Sequence, residues 1–391
     1  MKTPYFLIHQ DMLQKNMNDF LQGMNASWSF SRLGYSVKTN SLPWLLSYIK
    51  QNGCFAEVVS DEEYELALLS GFSPDEIIFN GPIKGKDRFL FALEHGSYVN
   101  IDSENEVRWI EEYGKPVTNL GVRVNVPPEV FDPNDIEYVD KGFRFGFSVE
   151  NGALEDILKR ISGTQEIKQI GIHLHCNSIT RSKEVYRAIA KYAVDLITRF
   201  DLEPRYIDVG GGFFGGVPGK TSIHEYFEII SEELKKTPLT RNSLLLAEPG
   251  SAIIGSVVDL HTSVLDVKDT NKARIITTDG GRIHIDPQWF RTRYMYSVRA
   301  GSDEIFEGNQ IVCGYTCMDH DRIMEIENEK KLQAGDEIIY HRVGAYTITF
   351  GGLFIKYLPE VYVSNDGQMK KIRGTMKPED YFKLQTVGEN N

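Results

Sequence analysis

Residues 34–40 read GYSVKTN. A short run, Tyr35 to Val37, meets Lys38 and a turn at Thr39-Asn40, a pattern that predicts a buried strand closing on a lysine. An ammonium at the inner end of such a strand costs free energy unless it is paired or neutralised. Working outward, the same beat recurs, with β-branched or aromatic runs alternating with longer helical stretches. The further runs are FAEVVS (55–60), EIIFNGPI (76–83), SYVNID (97–102), LGVRVNV (120–126), QIGIHLHC (169–176), RYIDVGGGF (205–213) and SLLLAEPG (243–250). Between them lie amphipathic segments such as SDEEYELALLSGF (60–72), where Ser60 reads as an N-cap with Glu63 three residues on,. RSKEVYRAIAKYAVDLITRF (181–200) has apolar positions at helical spacing,.

Such β-α units fit a (β/α)8 barrel or a doubly wound open sheet. The strand ends favour the barrel. They close on Lys38, Glu57, Asn80, Asp102, Asn125, His173 with His175, Gly210 to Gly212, and Glu248, and a barrel gathers such ends on one catalytic face. After about residue 252 the rhythm changes to strands without long helices: 251–269, 273–281, 309–317, 335–350 and 359–374, the last holding an NDG hairpin signal at 365–367,. The expected organisation is an α/β protein, a (β/α)8 barrel over 1–252 followed by a β domain over 253–391. The opening TPYFLIHQ (3–10) reads as a strand that can join the β domain.

The 391 residues carry a net charge of -12, with 41% hydrophobic and 25% charged residues. This acidic balance argues against nucleic acid or an anionic membrane as main partner. No long apolar run predicts a membrane span, and the N-terminal MKTPYFLIHQDML lacks the apolar core of a signal peptide,. Four cysteines, Cys54, Cys176, Cys313 and Cys317, are too few for a disulfide framework, and the Cys313/Cys317 spacing has no second pair to complete a zinc site,. A cytoplasmic protein without a resident metal is expected.

The expected barrel mouth carries the chemistry. Gly210, Gly211 and Gly212 follow strand seven, where backbone N–H groups can converge on a phosphate, and the EPG turn (248–250) lies beside them,. Glu248 can act as a base, a metal ligand, or the partner of a protonated ring nitrogen. His173 and His175 share one strand face and can bind zinc or stack on a cofactor. Together with Lys38, these groups describe a pyridoxal 5'-phosphate pocket, which needs a lysine to hold the aldehyde and a partner for the pyridine nitrogen. Desolvation would make that lysine a nucleophile.

The chain resembles the alanine-racemase-like (fold type III) pyridoxal phosphate enzymes, and more closely the ornithine/diaminopimelate decarboxylase branch. YSVKTN resembles the cofactor-lysine motif, which implies Lys38 as the Schiff-base residue. HLHCNS (173–178) resembles H-x-G-S, implying that His175 stacks on the ring and Ser178 contacts the phosphate region. DVGGGF implies Gly210, Gly211 and Gly212 as the phosphate loop, and EPG implies Glu248 at the ring nitrogen with Gly250 beside it. FAEVVSDEEYELAL implies Glu57 and Glu63 in the pocket wall; GYTC (314–317) implies Cys317 as the catalytic thiol; GAY (344–346) brings Tyr346 to the phosphate. The resemblance implies a homodimer in which the cysteine segment of one copy completes the site of the other.

Departures bear on the substrate. The branch usually has Arg after E-P-G, contacting phosphate or a carboxylate, where this chain has Ser251. Asn177 replaces the glycine of H-x-G-S. Met318 follows Cys317 where common relatives carry a carboxylate for a distal amine, and a thioether cannot pair with an ammonium,. DPQWF (286–290) puts Asp286 and Phe290 where the diaminopimelate enzymes grip the distal end. Asp286, Asp319 or Asp321 could meet such an amine, or the substrate could be a larger conjugate from a siderophore or antibiotic pathway. The alternatives are an amino-acid racemase on the same fold, a non-catalytic pyridoxal phosphate-binding regulatory relative, and a zinc hydrolase built on His173 and His175.

Overall fold

A computed structural model describes residues 1–291 and 293–386. The chain divides into two compact units, Asn16–Ile253, and Met1–Lys15 together with the residues from Ile254 onward. In chain order, β1 (Tyr5–His9) precedes β2 (Ser31–Ser36), β3 (Phe55–Val58), β4 (Ile77–Phe79), β5 (Tyr98–Ile101), β6 (Leu120–Asn125), β7 (Phe147–Ser148), β8 (Gly171–Leu174), β9 (Tyr206–Asp208) and β10 (Leu244–Ala247). Then follow β11 (Val258–Asp269), β12 (Arg274–Thr278), β13 (Met295–Arg299), β14 (Asn309–Cys313), β15 (Arg322–Glu327), β16 (Glu337–His341), β17 (Glu360–Asn365) and β18 (Gln368–Arg373).

The first unit is a closed barrel. The parallel order β5-β4-β3-β2-β10-β9-β8-β6 is sealed by a β5–β6 pairing, and the short β7 adds to β6 outside the circuit. The strands are buried over nearly their whole length, as parallel strands covered by helices must be. Helices start where the local sequence caps them. Ser60 Oγ accepts from Glu63 N at 3.2 Å to open helix Asp61–Leu69, and Glu63 reaches back to Val59 N at 2.9 Å; together they satisfy two orphan amides. The barrel interior is filled by Ile78, Tyr206, Leu244 and Leu246, with Phe55 and Tyr98 packed on them. The Tyr206 ring fits only because Gly171 lies beside it, where a Cβ would come within 2.3 Å of ring carbons. Its hydroxyl donates to Asn100 Oδ1 at 2.7 Å, and Asn100 donates to Asn80 Oδ1 at 2.8 Å, so a polar file rises through the apolar interior.

The second unit is a sheet in the order β15-β14-β12-β11-β1-β17-β18, with β16 pairing both β11 and β13. Strand β1 lies antiparallel to β11 and parallel to β17. The 12-residue β11 serves two neighbourhoods: its first half pairs β1 and β16, its second half β12, with an irregularity between Val264 and Asp266. A bulge of this kind lets one strand bend between two pairings. Asp366 and Gly367 take φ of 48° and 76°, which closes the β17–β18 hairpin as the NDG signal requires.

Three local readings differ from the sequence expectation. Strand β2 stops at Ser36, and Val37–Thr39 forms a single 3-10 turn closed by Asn40 N donating to Val37 O, so Lys38 stands on a turn rather than in a strand. Residues Ser251–Ile254 form a helical turn, although the run from 251 reads as strand. Strands β13 and β15 were not anticipated, because MYSVR and RIMEIE alternate exposed and inward side chains and their charges mask the two-residue period,.

Candidate active site

Polar side chains gather at or near the C-terminal ends of several barrel strands. Glu57 on β3 is deeply buried, its side chain only 1% exposed. Lys38 Nζ donates to Glu57 Oε2 at 2.5 Å, Ser36 Oγ donates to the same oxygen at 2.6 Å, and Asn80 Nδ2 donates to Oε1 at 3.2 Å. Burial alone would raise the Glu57 pKa; attraction to Lys38 and these hydrogen bonds outweigh it and hold the group below the ordinary carboxylate value,. The Lys38 side chain is 39% exposed. The expected desolvated lysine is therefore corrected: the carboxylate is buried, and the lysine reaches from the barrel mouth to neutralise it. An amine so placed is both paired and accessible.

Asn80 links this pair to the other side of the barrel, since its Nδ2 also donates to Glu248 Oε1 at 2.5 Å. Glu248 follows β10 and Asp208 ends β9, and an oxygen of each lies within 4.8 Å of the other. Two buried carboxyls this close favour a proton on one of them. Burial, with the negative charges of Asp208 and Glu57, raises Glu248 well above the ordinary range. Burial also pushes Asp208 up to about 6, against the hydrogen bond from Gly210 N. His173 Nε2 lies 3.8 Å from Glu248 Oε2. Its pKa is driven far down by burial, then by Arg123 and its other cationic neighbours, so it sits there neutral. The structure thus brings Lys38, Glu57, Asn80 and Glu248 into one connected network, with Asp208 close beside Glu248.

His175 stands just past the end of β8, against the glycine turn. Gly210 has φ of +68°, and a Cβ there would lie 2.5 Å from His175 Nδ1, so both backbone conformation and close approach require glycine. Burial, then Arg123 and Lys38, lower the His175 pKa to about 3, keeping the ring neutral and flat at the mouth. Glu248 N donates to Gly210 O at 2.8 Å, stitching the EPG turn to the glycine loop, and Gly250 packs so tightly that a Cβ would overlap Thr39. Ser178 has other partners: its hydroxyl donates to Asp135 O at 3.0 Å and accepts from Arg181 N at 2.9 Å. Glu63 is engaged at its helix cap. Cys176, in the same segment, is buried, and its thiol is pushed up to about 12.

Residues of the second unit divide clearly. Cys317 is an exposed thiol between β14 and β15, followed by half-buried Met318 and exposed Asp319. Asp321 is buried and accepts from Thr316 Oγ1 at 2.6 Å and Arg282 N at 3.0 Å. Asp286 is likewise buried, accepting from Arg291 N at 2.8 Å, Tyr294 Oη at 3.0 Å and Phe290 N at 3.2 Å. Both carboxylates, expected as partners for a distal amine, are engaged in internal hydrogen bonds, Asp286 within its own loop and Asp321 with its loop and with Arg282 N. Tyr346 is partly exposed with φ of 58°.

The network fits a phosphorylated pyridine aldehyde. An accessible amine lies over a buried carboxylate, a proton-bearing carboxyl stands across the barrel, and a glycine loop follows β9. His173 Nδ1 and Nε2 and Asp208 Oδ2 are buried without hydrogen-bond partners among the described residues, an expensive state that a polar ligand relieves. Sequence reasoning passed over Asp208 and Asn80 as site residues. Their signal was present, Asn80 as a polar strand end and Asp208 in the motif before the glycines, but only the closed barrel brings both to Glu248.

The profile of the pyridoxal-dependent decarboxylase family, pyridoxal-binding domain, matches residues 12–255. The chain is 28% identical to a probable chloroplastic diaminopimelate decarboxylase of Oryza sativa subsp. japonica, over 98% of this chain and 79% of that one. It is 25% identical to an L-glutamyl-(BtrI acyl-carrier protein) decarboxylase of Niallia circulans, over 100% of this chain and 95% of the relative. Among solved structures, the diaminopimelate decarboxylase of M. jannaschii in complex with L-lysine superposes with a TM-score of 0.84 at 20% identity, over 99% of this chain and 92% of that one; it shows the same fold. With a family match over more than half its length, the chain belongs to the pyridoxal-dependent decarboxylases.

Proposed function

We propose that this pyridoxal phosphate-dependent amino-acid decarboxylase acts at the α-carbon of an amino acid, or amino-acid conjugate, whose distal end offers no free ammonium for a carboxylate to grip. The observation that carries the reading is the engagement of Asp286 and Asp321 in internal hydrogen bonds, with Met318 beside Cys317. A basic distal group would find both buried carboxylates already engaged. The relative from Niallia circulans, named for an L-glutamyl group on a carrier protein, offers a precedent for a conjugate. A specialised biosynthetic pathway fits such a substrate better than diaminopimelate or ornithine breakdown.

Bound in the barrel, pyridoxal phosphate supplies an aldehyde for the substrate's α-amine and a ring that takes up the electron pair left by carbon dioxide. Lys38 would hold the aldehyde through its amine. Glu57 holds the Lys38 amine in place. Glu248, held protonated by burial and by the charges of Asp208 and Glu57, would place that proton at the ring nitrogen, and Asn80 fixes its orientation. His175 offers its flat neutral face to the ring. Cys317 would return a proton to the α-carbon. Two copies form a homodimer in which each Cys317 serves the site of the other.

The test is a panel of carboxyl-labelled substrates, including a glutamyl conjugate, diaminopimelate, ornithine and lysine. Labelled carbon dioxide from the conjugate, at a kcat/KM far above that of the diamines, supports the proposal. Preference for a free diamine would refute the substrate class. Inversion of the α-carbon without gas would indicate racemisation instead.

A further inference from the structure

The glycine turn alone gives a phosphate only backbone amides, and Ser251 carries no charge. The cation comes from another element. Arg181 lies in the loop after β8 and before helix Lys183–Arg199. Its Nη1 donates to Ser251 Oγ at 3.2 Å, and its guanidinium carbon lies 5.5 Å from the ring centroid of Phe214, in the loop after β9. It therefore touches the loops after both β9 and β10. Arg181 takes φ of 52°, a conformation that costs a non-glycine residue about 1 kcal/mol or more and persists only where surroundings impose it. They do so here: Ser178 Oγ accepts from Arg181 N at 2.9 Å, and Tyr226 Oη donates to Arg181 O at 2.5 Å. Among the described residues no carboxylate pairs with Arg181. The nearby Asp135 carboxylate accepts from Thr180 and Ser182 instead. A backbone held in a strained conformation and a guanidinium tethered to a neutral serine, with no acidic partner, are the marks of a preset anion site.

We infer that Arg181 supplies the cation for the cofactor's phosphate, standing in from the loop after β8 for a charge that position 251 lacks. Ser251 positions its guanidinium, and Ser178, read from sequence as a phosphate contact, acts instead by fixing the Arg181 backbone. The inference rests on the barrel mouth being the cofactor pocket.

The experiment titrates full-length protein, stripped of cofactor, with pyridoxal phosphate and separately with unphosphorylated pyridoxal, followed by the absorbance of the lysine-bound ligand. R181N, whose asparagine tolerates the left-handed backbone, should weaken pyridoxal phosphate roughly ten- to a hundredfold and leave pyridoxal unchanged. Inorganic phosphate should compete with pyridoxal phosphate in the unaltered protein and much less in R181N. Adding S251R to R181N should restore affinity. R181K and S251A, which leave most of the loop intact, should give smaller losses confined to the phosphorylated ligand. Equal weakening of both ligands, or no weakening, would overturn the role of Arg181 while leaving the pocket standing. If the unaltered protein bound neither ligand, the pocket itself would fall, and this inference with it.

Discussion

Lys38 and Glu57 form an ion pair with unequal halves, an accessible amine and a carboxylate out of reach of water. Removing either side should therefore act differently. Lys38→Ala should abolish carbon dioxide release and the visible absorbance of bound cofactor. It should also destabilise the fold by about 3 kcal/mol, because a buried carboxylate keeps two neutral donors but loses its cation; thermal unfolding checks the second point. Glu248→Gln keeps a partner for Asn80 but carries no proton to give. Its kcat should fall roughly 10²- to 10⁴-fold, the usual range for a lost general acid, with KM little changed. A kcat within a few-fold of the unaltered enzyme would rule out the proton-donating role of Glu248. The charge of Asp208 helps keep Glu248 protonated, so Asp208→Asn should lower the Glu248 pKa and move the alkaline limb of the kcat profile to lower pH.

At the scale of elements, the turn after β9 is built around one close approach. Gly210→Ala puts a methyl 2.5 Å from His175 Nδ1 at a φ of +68°. The backbone term alone is about 1 kcal/mol, and the clash must move the histidine. Cofactor affinity should drop at least tenfold, while melting temperature falls by only a few degrees; equal affinity would show that His175 can yield freely. This turn also marks how far the sequence could be read. The eight barrel strands announced themselves, because each is a short apolar run ending on a polar or glycine residue, and that ending is imposed by the barrel mouth. The 3-10 turn at Val37–Thr39 did not, since Tyr35-Ser36-Val37 has strand character right up to the point where Asn40 closes the turn. Nor did β13 or β15, whose alternation is polar on the outer face. In the site, residues inside motifs were legible and residues that act across strands were not. Asn80 bonds Glu57 and Glu248, 23 and 168 positions away, and Arg181 reaches Ser251, 70 positions on; no local pattern encodes such pairings.

At the scale of the whole molecule, three buried histidines make the fold sensitive to acid. Burial lowers His175 to about 3, His284 to about 4, and His173 far below its usual value. Above about pH 6.5 all three are neutral whether the chain is folded or not. As pH falls, the unfolded chain binds protons that the folded chain refuses until about 4 at His284 and about 3 at His175. Stability should thus be full above pH 6.5 and decline below it, by up to about 1.4 kcal/mol per pH unit for each group. Urea unfolding of His284→Asn across pH 7 to 4.5 should show a slope shallower by about one proton; an unchanged slope would mean that His284 already titrates in the folded state. No helix among the described residues is long and apolar enough to cross a membrane. The proposed dimer predicts twice the chain mass in solution, and inactive Lys38→Ala and Cys317→Ala chains mixed together should regain about a quarter of the activity. The most direct measurement reduces the cofactor-loaded protein with borohydride and maps the modified peptide. A phosphopyridoxyl group on Lys38 alone is the expected result; the group on another lysine, or on none, would contradict the assignment of this barrel mouth as the seat of decarboxylation.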